Sequence, residues 1–447
     1  MNLTIQEIAN ACNGRVLHDT KVTVITSVST DTRTISNGAL FVPLVGEKVD
    51  GHNYIATAAA QGAVCAFTEK EDIASDIPLI YVESCRRALM QLAGYYRRLF
   101  DIKVVAVTGS AGKTTTKDMI YHILARKYKT KKTQGNFNND IGMPLSIFQL
   151  APGDQMLVLE MGMNHAMEIH ELSLIGAPDI AVITHIGDAH IENFENREGI
   201  LHAKLEIVDG LSPGGTVVFN GDDPLLTGPI AAAKIKLLKA LFPSSANIKS
   251  VNTVGLQESA AHFNWQGQDV YLTVPLPGAH MVMNALLAAV VGIELGVPPV
   301  EIAKGFDDFI PPGGRLSVEM AGGKTIINDA YNANPAAMRE SIKILCNQPS
   351  RKVAILGDMN ELGHVAEDRH LEIGAFASQM GIDLLIAIGG LSKFMYYGFV
   401  GENKMYFKTV EEFLPLCGEL LKPGDIVLVK ASRGMAFERI IEEIHNN

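Results

Sequence analysis

Positive charge is in short supply, with 38 Lys and Arg against 49 Asp and Glu leaving a formal charge of -11 over 447 residues. That deficit argues against a nucleic-acid-binding surface and against a general attraction to anionic membranes, so an anionic substrate has to be met by a local basic pocket. Long apolar runs are missing as well. The longest, Ala285 to Ile293, falls well short of the ~20 residues that cross a bilayer. The start, Met1-Asn2-Leu3-Thr4-Ile5-Gln6-Glu7, lacks the basic segment and apolar run of a secretory signal. Cysteine is sparse: Cys12, Cys65, Cys85, Cys346 and Cys417 are odd in number and scattered, which suits reduced core thiols better than a disulfide framework or a zinc site. The expectations are a cytoplasmic location, no nucleic-acid partner, no stable membrane insertion and a monomer.

What is present is a globular composition, 47% hydrophobic and 19% charged, in a chain too long for one core. Residues 1–83 carry short β-like runs at Val22–Val28, Ala39–Val42, Ala63–Phe67 and Leu79–Val82 with a helical pattern at Ile55–Gln61, and read as a small α/β domain. Cys85–Phe100 has helical spacing and reads as a connector. In residues 84–312, apolar strands at Val104–Thr108, Met156–Glu160, Ile180–Thr184 and Thr216–Asn220 alternate with longer segments, which predicts a mostly parallel sheet with ligand loops at its carboxyl ends. The run Ile310-Pro311-Pro312-Gly313-Gly314-Arg315 breaks that alternation. Residues 313–447 then repeat it, with strands at Lys324–Asn328, Val353–Leu356, Leu384–Ile388 and Ile426–Val429, and read as a Rossmann-like α/β domain.

The most informative segment follows the first central strand: Thr108-Gly109-Ser110-Ala111-Gly112-Lys113-Thr114-Thr115. Its glycines let backbone N–H groups close on phosphate oxygens, the helix that follows adds partial positive charge, Lys113 reaches terminal phosphates and the Thr114 hydroxyl can hold Mg2+. ATP is the expected ligand. The loop departs from the common G-x-x-x-x-G-K-[ST] pattern, whose first glycine would fall at Val107.

Other candidates lie at strand ends. Glu160 closes an apolar strand where a carboxylate can bind Mg2+, and His190 follows the next strand where it can support a second ion. Lys204 would present a cation near those metals; a free ammonium repels Mg2+, whereas carbamylation by CO2 turns the side chain into an anionic oxygen ligand, the alternative being an ordinary surface lysine. Asn220-Gly221-Asp222-Asp223 reads more simply as a structural turn. Two asparagine-rich loops stand out. Thr133 to Pro144, with Asn138 and Asn139, offers amides suited to sugar or peptide groups, and Asp329 to Pro335, with Asn332, can contact adenine or ribose. Arg315, just past the break, is placed to reach the γ-phosphate on domain closure. The residues do not assign the base that takes a proton from an incoming amine; Asp358 and Glu361 read as exposed candidates, but more readily as binding or structural residues.

Taken in order, these motifs resemble the Mur ligase family, ATP-dependent amino-acid and peptide ligases of peptidoglycan synthesis, nearly end to end. The family's own phosphate loop is similar to Thr108–Thr115 and explains the missing first glycine. The resemblance implies that Glu160, His190 and carbamylated Lys204 form the metal site, and that Asn284, Arg315 and Asp329 contact the nucleotide. It implies a UDP-substrate domain over 1–83, with Ser29, Asp31, Arg33, Asp50 and His52 as contacts, and a C-terminal domain that takes the incoming dipeptide. Within the family, Ser29–Arg33, Phe41–Leu44, Asp50–His52, the loop around Asn138–Asn139, Asn328–Pro335 and Gly357–Gly363 favour the joining of D-alanyl-D-alanine to a UDP-N-acetylmuramoyl-tripeptide, through an acyl phosphate. The Asp-Asn-Pro-Arg motif of the diamino-acid-adding sister is absent. The alternatives are that sister, folylpolyglutamate synthase, or a nucleotide-gated regulatory ATPase. The residues Lys430-Ala431-Ser432-Arg433 resemble a late family motif near the substrate cleft.

Overall fold

The computed structural model describes residues 1–17, 24–235, 238–311 and 313–446. The first two residues of the strand expected over 22–28, and Pro312 in the expected break, lie outside them.

The N-terminal domain is a five-stranded sheet in which Ser27–Ser29, Ala39–Phe41, Ala63–Thr68 and Leu79–Tyr81 run parallel and Arg15–Val16 is an antiparallel edge. Its first helix, Ile5–Ala11, opens with a reciprocal capping box between Thr4 and Glu7, which satisfies two otherwise orphaned N–H groups. The connector helix Cys85–Arg98 starts where the Ser84 hydroxyl accepts the Arg87 N–H. It buries Leu89, Leu92, Ala93 and Tyr96, and packs on Ile5–Ala11 as well as on the Gly142–Ile147 and Glu168–Gly176 helices of the central domain.

The central sheet is six-stranded and wholly parallel, in the order Lys239–Leu241, Thr216–Phe219, Ile180–Ile183, Lys103–Thr108, Met156–Glu160, Thr130–Lys132. The inner strands are almost continuously apolar because helices cover both faces. Register places Glu160 opposite Val107 and Ile183 opposite Thr108, so the phosphate loop, Glu160 and Thr184 emerge side by side. A three-stranded antiparallel sheet, Ile248–Val254, Glu258–Trp265 and Gln268–Val274, was not foreseen. Its alternating burial is that of a sheet with one wet face.

The C-terminal sheet is also six-stranded, in the order Ser317–Ala321, Lys324–Asn328, Ile426–Lys430, Lys352–Gly357, Leu384–Ile388, Lys404–Phe407, and only the first strand is antiparallel. The three-domain α/β architecture is the expected one. Its largest buried apolar cluster runs through all three units, from Ile8 and Leu89 through Ile123 and Leu286 to Met338 and Leu385. Among the described residues no helix is long and apolar enough to cross a membrane.

Candidate active site

A cavity of about 650 Å3 lies between the central and C-terminal domains. Ser110, Lys113, Glu160, His190 and Asn284 line it from one side, and Arg315, Asp329, Asn332 and Lys430 from the other.

Its floor is the phosphate loop. Gly109 and Gly112 have φ of +147° and +82°. A Cβ at Gly109 would run into the Thr184 hydroxyl, and one at Gly112 would stand 2.8 Å from Asn284 Oδ1. Both positions therefore require glycine. Val107 needs none, because the strand continues through it, buried and paired with Glu160. Cross-links hold the loop open: Ser110 N–H donates to the His185 carbonyl at 2.7 Å, Gly187 N–H to Ser110 Oγ at 2.9 Å, and Thr184 Oγ1 to the Ala111 carbonyl at 2.5 Å. Lys113 Nζ folds back to the Gly109 carbonyl at 2.8 Å. Burial and the charge of Arg315 push its pKa below the ordinary value, and Glu160 and Glu361 oppose them.

Glu160 is buried at the strand end. Its Oε1 accepts from Thr114 Oγ1 at 3.1 Å and from Asn138 Nδ2 at 2.8 Å, while its backbone N–H donates to Thr133 Oγ1 at 3.1 Å. Among the described residues Oε2 has no hydrogen-bond donor, and the nearest cation is the buried Lys117 ammonium at 3.6 Å. An orphaned carboxylate oxygen beside a threonine hydroxyl is a hard-donor pair that fits Mg2+, an ion that leaves most of its positions to phosphate and water. Among the described residues no group of three or more His, Cys, Asp and Glu converges as a metal cluster. Thr133 and Asn138 thus brace Glu160, and Asn139 Oδ1 accepts the Gly142 N–H at 2.8 Å to start the next helix.

His190, at φ +65°, has Nδ1 2.7 Å from Glu361 Oε2 of the C-terminal domain, and Glu361 is itself left-handed at φ +64°. Lys204 is 1% exposed on the helix Arg197–Leu205 and is not among the cavity-lining residues. Burial, reinforced by the charge of Lys113, pushes its pKa well down, against Glu206. The Arg315 guanidinium lies 3.9 Å over the Tyr331 ring. Asp329 is buried and ion-paired with Lys430.

The N-terminal candidates do not line this cavity. His52 is 2% exposed, with Nδ1 2.7 Å from Asp50 Oδ1 and Nε2 accepting the Glu69 N–H at 3.0 Å, so both ring nitrogens brace the domain. Asp31 pairs with exposed Arg33 at 2.6 Å, and Ser29 Oγ bonds to the Asp31 carbonyl at 2.9 Å. Asp358, expected to be exposed, is buried. Its Oδ1 accepts Leu391 N–H, Ser392 N–H and Ser392 Oγ at 3.0, 2.7 and 2.7 Å, which ties it to a helix start and takes it away from proton transfer. Asp223 Oδ2 accepts the Ile186 N–H and contacts His185 Nδ1, both at 2.8 Å, the structural turn foreseen.

Several contacts escaped sequence reasoning: Lys117 on Glu160, Lys430 on Asp329, His280 near Glu340 at 3.5 Å, and Asp188 between Arg197 and Arg369. Most of these join distant segments and carry no local signature. Lys117 lies one helical turn beyond Lys113, a spacing that could have flagged it.

A phosphate loop that ends a parallel strand, faced by an arginine from a second α/β domain, defines an ATP-dependent ligase of the Mur type. Family profiles agree: the Mur ligase family catalytic domain matches residues 24–97, the Mur ligase middle domain 107–292, and the Mur ligase glutamate ligase domain 314–433. The chain belongs to the Mur ligase family. It is 36% identical to the UDP-N-acetylmuramoyl-tripeptide--D-alanyl-D-alanine ligase of Bacillus subtilis (strain 168), over 99% of this chain and 98% of that one. Among solved structures it is similar to MurF from Acinetobacter baumannii, with a TM-score of 0.94 and 31% identity over 100% of this chain and 99% of that one. It is also similar to the MurF ligase of Thermotoga maritima in complex with ADP, with a TM-score of 0.84 and 29% identity over 94% and 97% of the two chains.

Proposed function

We propose that this protein uses ATP to join D-alanyl-D-alanine to a UDP-N-acetylmuramoyl-tripeptide, making the pentapeptide precursor of peptidoglycan. The observation that carries the reading is the convergence of Lys113, Glu160 and Arg315 on one interdomain cavity, in a chain similar over its whole length to ligases of that name.

A carboxylate resists attack by an amine because it is negatively charged and has no good leaving group. Transfer of the γ-phosphoryl group to the tripeptide carboxylate removes both obstacles, and the dipeptide amine then displaces phosphate to form the amide. The first step brings two anions together, so its demand is electrostatic and positional. In this reading Gly109–Thr115 cradle the phosphates, Lys113 leaves its Gly109 carbonyl for the terminal phosphate, and Arg315 approaches the same charge from the C-terminal domain. Asn284, Asp329 and Asn332 contact the nucleoside. Thr114 and Glu160 would hold one Mg2+, and His190 with Lys204 a second. Bound Mg2+ would supply neutralisation of phosphate charge.

Lys204 enters as a carbamate. Its burial favours the neutral amine, whose nitrogen adds to CO2 and loses a proton to leave an anion near Lys113. The N-terminal domain, residues 1–83, would take the UDP moiety through the Ser29–Arg33 and Asp50–His52 turns, and residues 313–447 the dipeptide. Glu361, exposed at the seam, is better placed than Asp358 to receive the amine. The protein would work as a cytoplasmic monomer.

The test is phosphate release with the UDP-tripeptide alone, with D-alanyl-D-alanine alone and with both, and mass spectrometry of the product. Sustained release only with both, and a product heavier by the dipeptide less water, are expected. Equal release without either substrate would point to a gated ATPase instead.

A further inference from the structure

Lys430 is a buried cation with no part in the phosphoryl transfer just described. It ends the strand Ile426–Lys430, is 2% exposed, and pairs with Asp329 through Oδ2 while donating to the Asn332 carbonyl at 3.0 Å. Ser341 Oγ donates to the same Oδ2 at 2.6 Å. The other oxygen, Oδ1, accepts the Leu316 N–H at 3.2 Å.

That last bond bears on Arg315. Gly314 and Leu316, its neighbours, have φ of +70° and +57°, so the backbone on both sides of Arg315 is left-handed. A leucine keeps that conformation only where its surroundings impose it. Beside the burial of the Leu316 side chain, three constraints come from one short loop: Leu316 N–H on Asp329, Tyr331 N–H on the Gly314 carbonyl at 3.0 Å, and the Arg315 guanidinium over the Tyr331 ring.

We propose that Lys430 is a positioning residue for Arg315, acting through Asp329. A carboxylate has about four lone-pair sites. Leu316, Ser341 and Lys430 occupy three of them, which fixes the plane of Asp329 and leaves one for the nucleotide. Without Lys430 a buried carboxylate would lack its countercharge. Arg315, whose neighbour Leu316 already donates its N–H to Asp329, would then be drawn toward that charge, off the Tyr331 ring and away from the phosphates. The proposal rests on the reading of Arg315 as a phosphate-facing cation.

The experiment is a kinetic double-mutant cycle with Lys430→Met, Arg315→Ala and the double variant. Lys430→Met should lower kcat about 100-fold with the KM for the UDP-tripeptide unchanged, and the double variant should be no slower than Arg315→Ala alone. Additive losses in kcat, or a folded Lys430→Met with wild-type kcat, would overturn the positioning role while leaving Arg315 in place. Wild-type kcat in Arg315→Ala would instead remove the underlying reading. Ser341→Ala, which deletes one bond to the same carboxylate, serves if Lys430→Met does not fold. It should show a smaller loss of kcat, again absent on the Arg315→Ala background, and a loss that persists there would also overturn the role.

Discussion

Asp188 and Arg369 meet across the seam between the central and C-terminal domains, Oδ2 to Nε at 3.1 Å. Asp188 is 3% exposed and is also gripped by Arg197 of its own domain, at 2.5 and 2.8 Å. Burial alone would raise its pKa, but the Arg197 and Arg369 guanidiniums hold the carboxyl below its ordinary value. Further contacts cross the same seam, among them His190 to Glu361 at 2.7 Å, His280 to Glu340 at 3.5 Å and the Glu192 N–H to the Glu361 carbonyl at 3.3 Å. These polar contacts, beside the apolar cluster that runs through both domains, hold them around a cavity lined from both sides.

The seam contact separates experimentally from the packing of Asp188. Arg369→Ala leaves Asp188 with Arg197, so the central domain keeps its internal pair; what is lost is the link and the partly exposed i,i+3 pair of Arg369 with Glu372. We expect kcat to fall about tenfold, as for a change that weakens closure, with little change in melting temperature. Asp188→Asn removes the charge from between two guanidiniums and should cost about 3 kcal/mol of stability as well. Steady-state kinetics beside thermal melts checks both; equal destabilisation by the two variants would mean the link cannot be separated from the core.

Gly112 predicts a sharper effect. Alanine there meets both a left-handed backbone, at about 1–2 kcal/mol, and the Asn284 amide at 2.8 Å. Gly112→Ala should lose ATP affinity at least about tenfold while remaining folded. Gly214, at φ +76° with nothing within 4 Å of an added methyl, is the control: Gly214→Ala meets the backbone cost alone and should leave affinity intact. Calorimetric titration with a non-hydrolysable ATP analogue distinguishes them.

These cases show why some of the site was legible in sequence and some was not. Gly109, Gly112, Lys113 and Thr114 lie within one turn between a strand and a helix, so local spacing carries their geometry. Glu160 was readable as a charge ending an apolar strand, because parallel register puts strand ends together. Asp188 and Arg369 are 181 positions apart (369 minus 188) on separate domains, and nothing local marks either one. The asparagines of the 133–144 loop were readable as unusual but not as to direction: Asn138 turns inward to Glu160 and Asn139 starts a helix. The antiparallel sheet over 248–274 was missed because its strands alternate apolar and polar residues, unlike the continuous apolar runs that marked the central strands.

Glu340 supplies a pH dependence with a definite sign. His280 and Lys343 hold its pKa down, from an ordinary 4.5 to about 2, against burial. A carboxyl depressed in the folded state stabilises fully above its unfolded value and loses that contribution as pH falls toward the folded one. The pair should therefore contribute above pH 4.5, weaken between 4.5 and about 2, and vanish below. Melting temperatures of the wild type and Glu340→Gln should differ near neutral pH and converge on acidification through that window. A difference that grew as pH fell would contradict the assignment.

Lys204 gives the most direct test of the second metal position. It is buried where the Lys113 charge lies within electrostatic reach, so an unmodified ammonium is disfavoured twice over, by desolvation and by like charge. Carbamylation reverses the second effect, since an anion at the same place attracts Lys113 and offers oxygen to a cation. Lys204→Ala should then lose most activity, because both the anion and the arm that carries it are gone, while the space left behind can admit a small carboxylate. Added acetate or formate should restore part of the rate in a saturable way, and chloride at equal ionic strength should not. Full activity of Lys204→Ala without additives would remove Lys204 from the proposed second metal position.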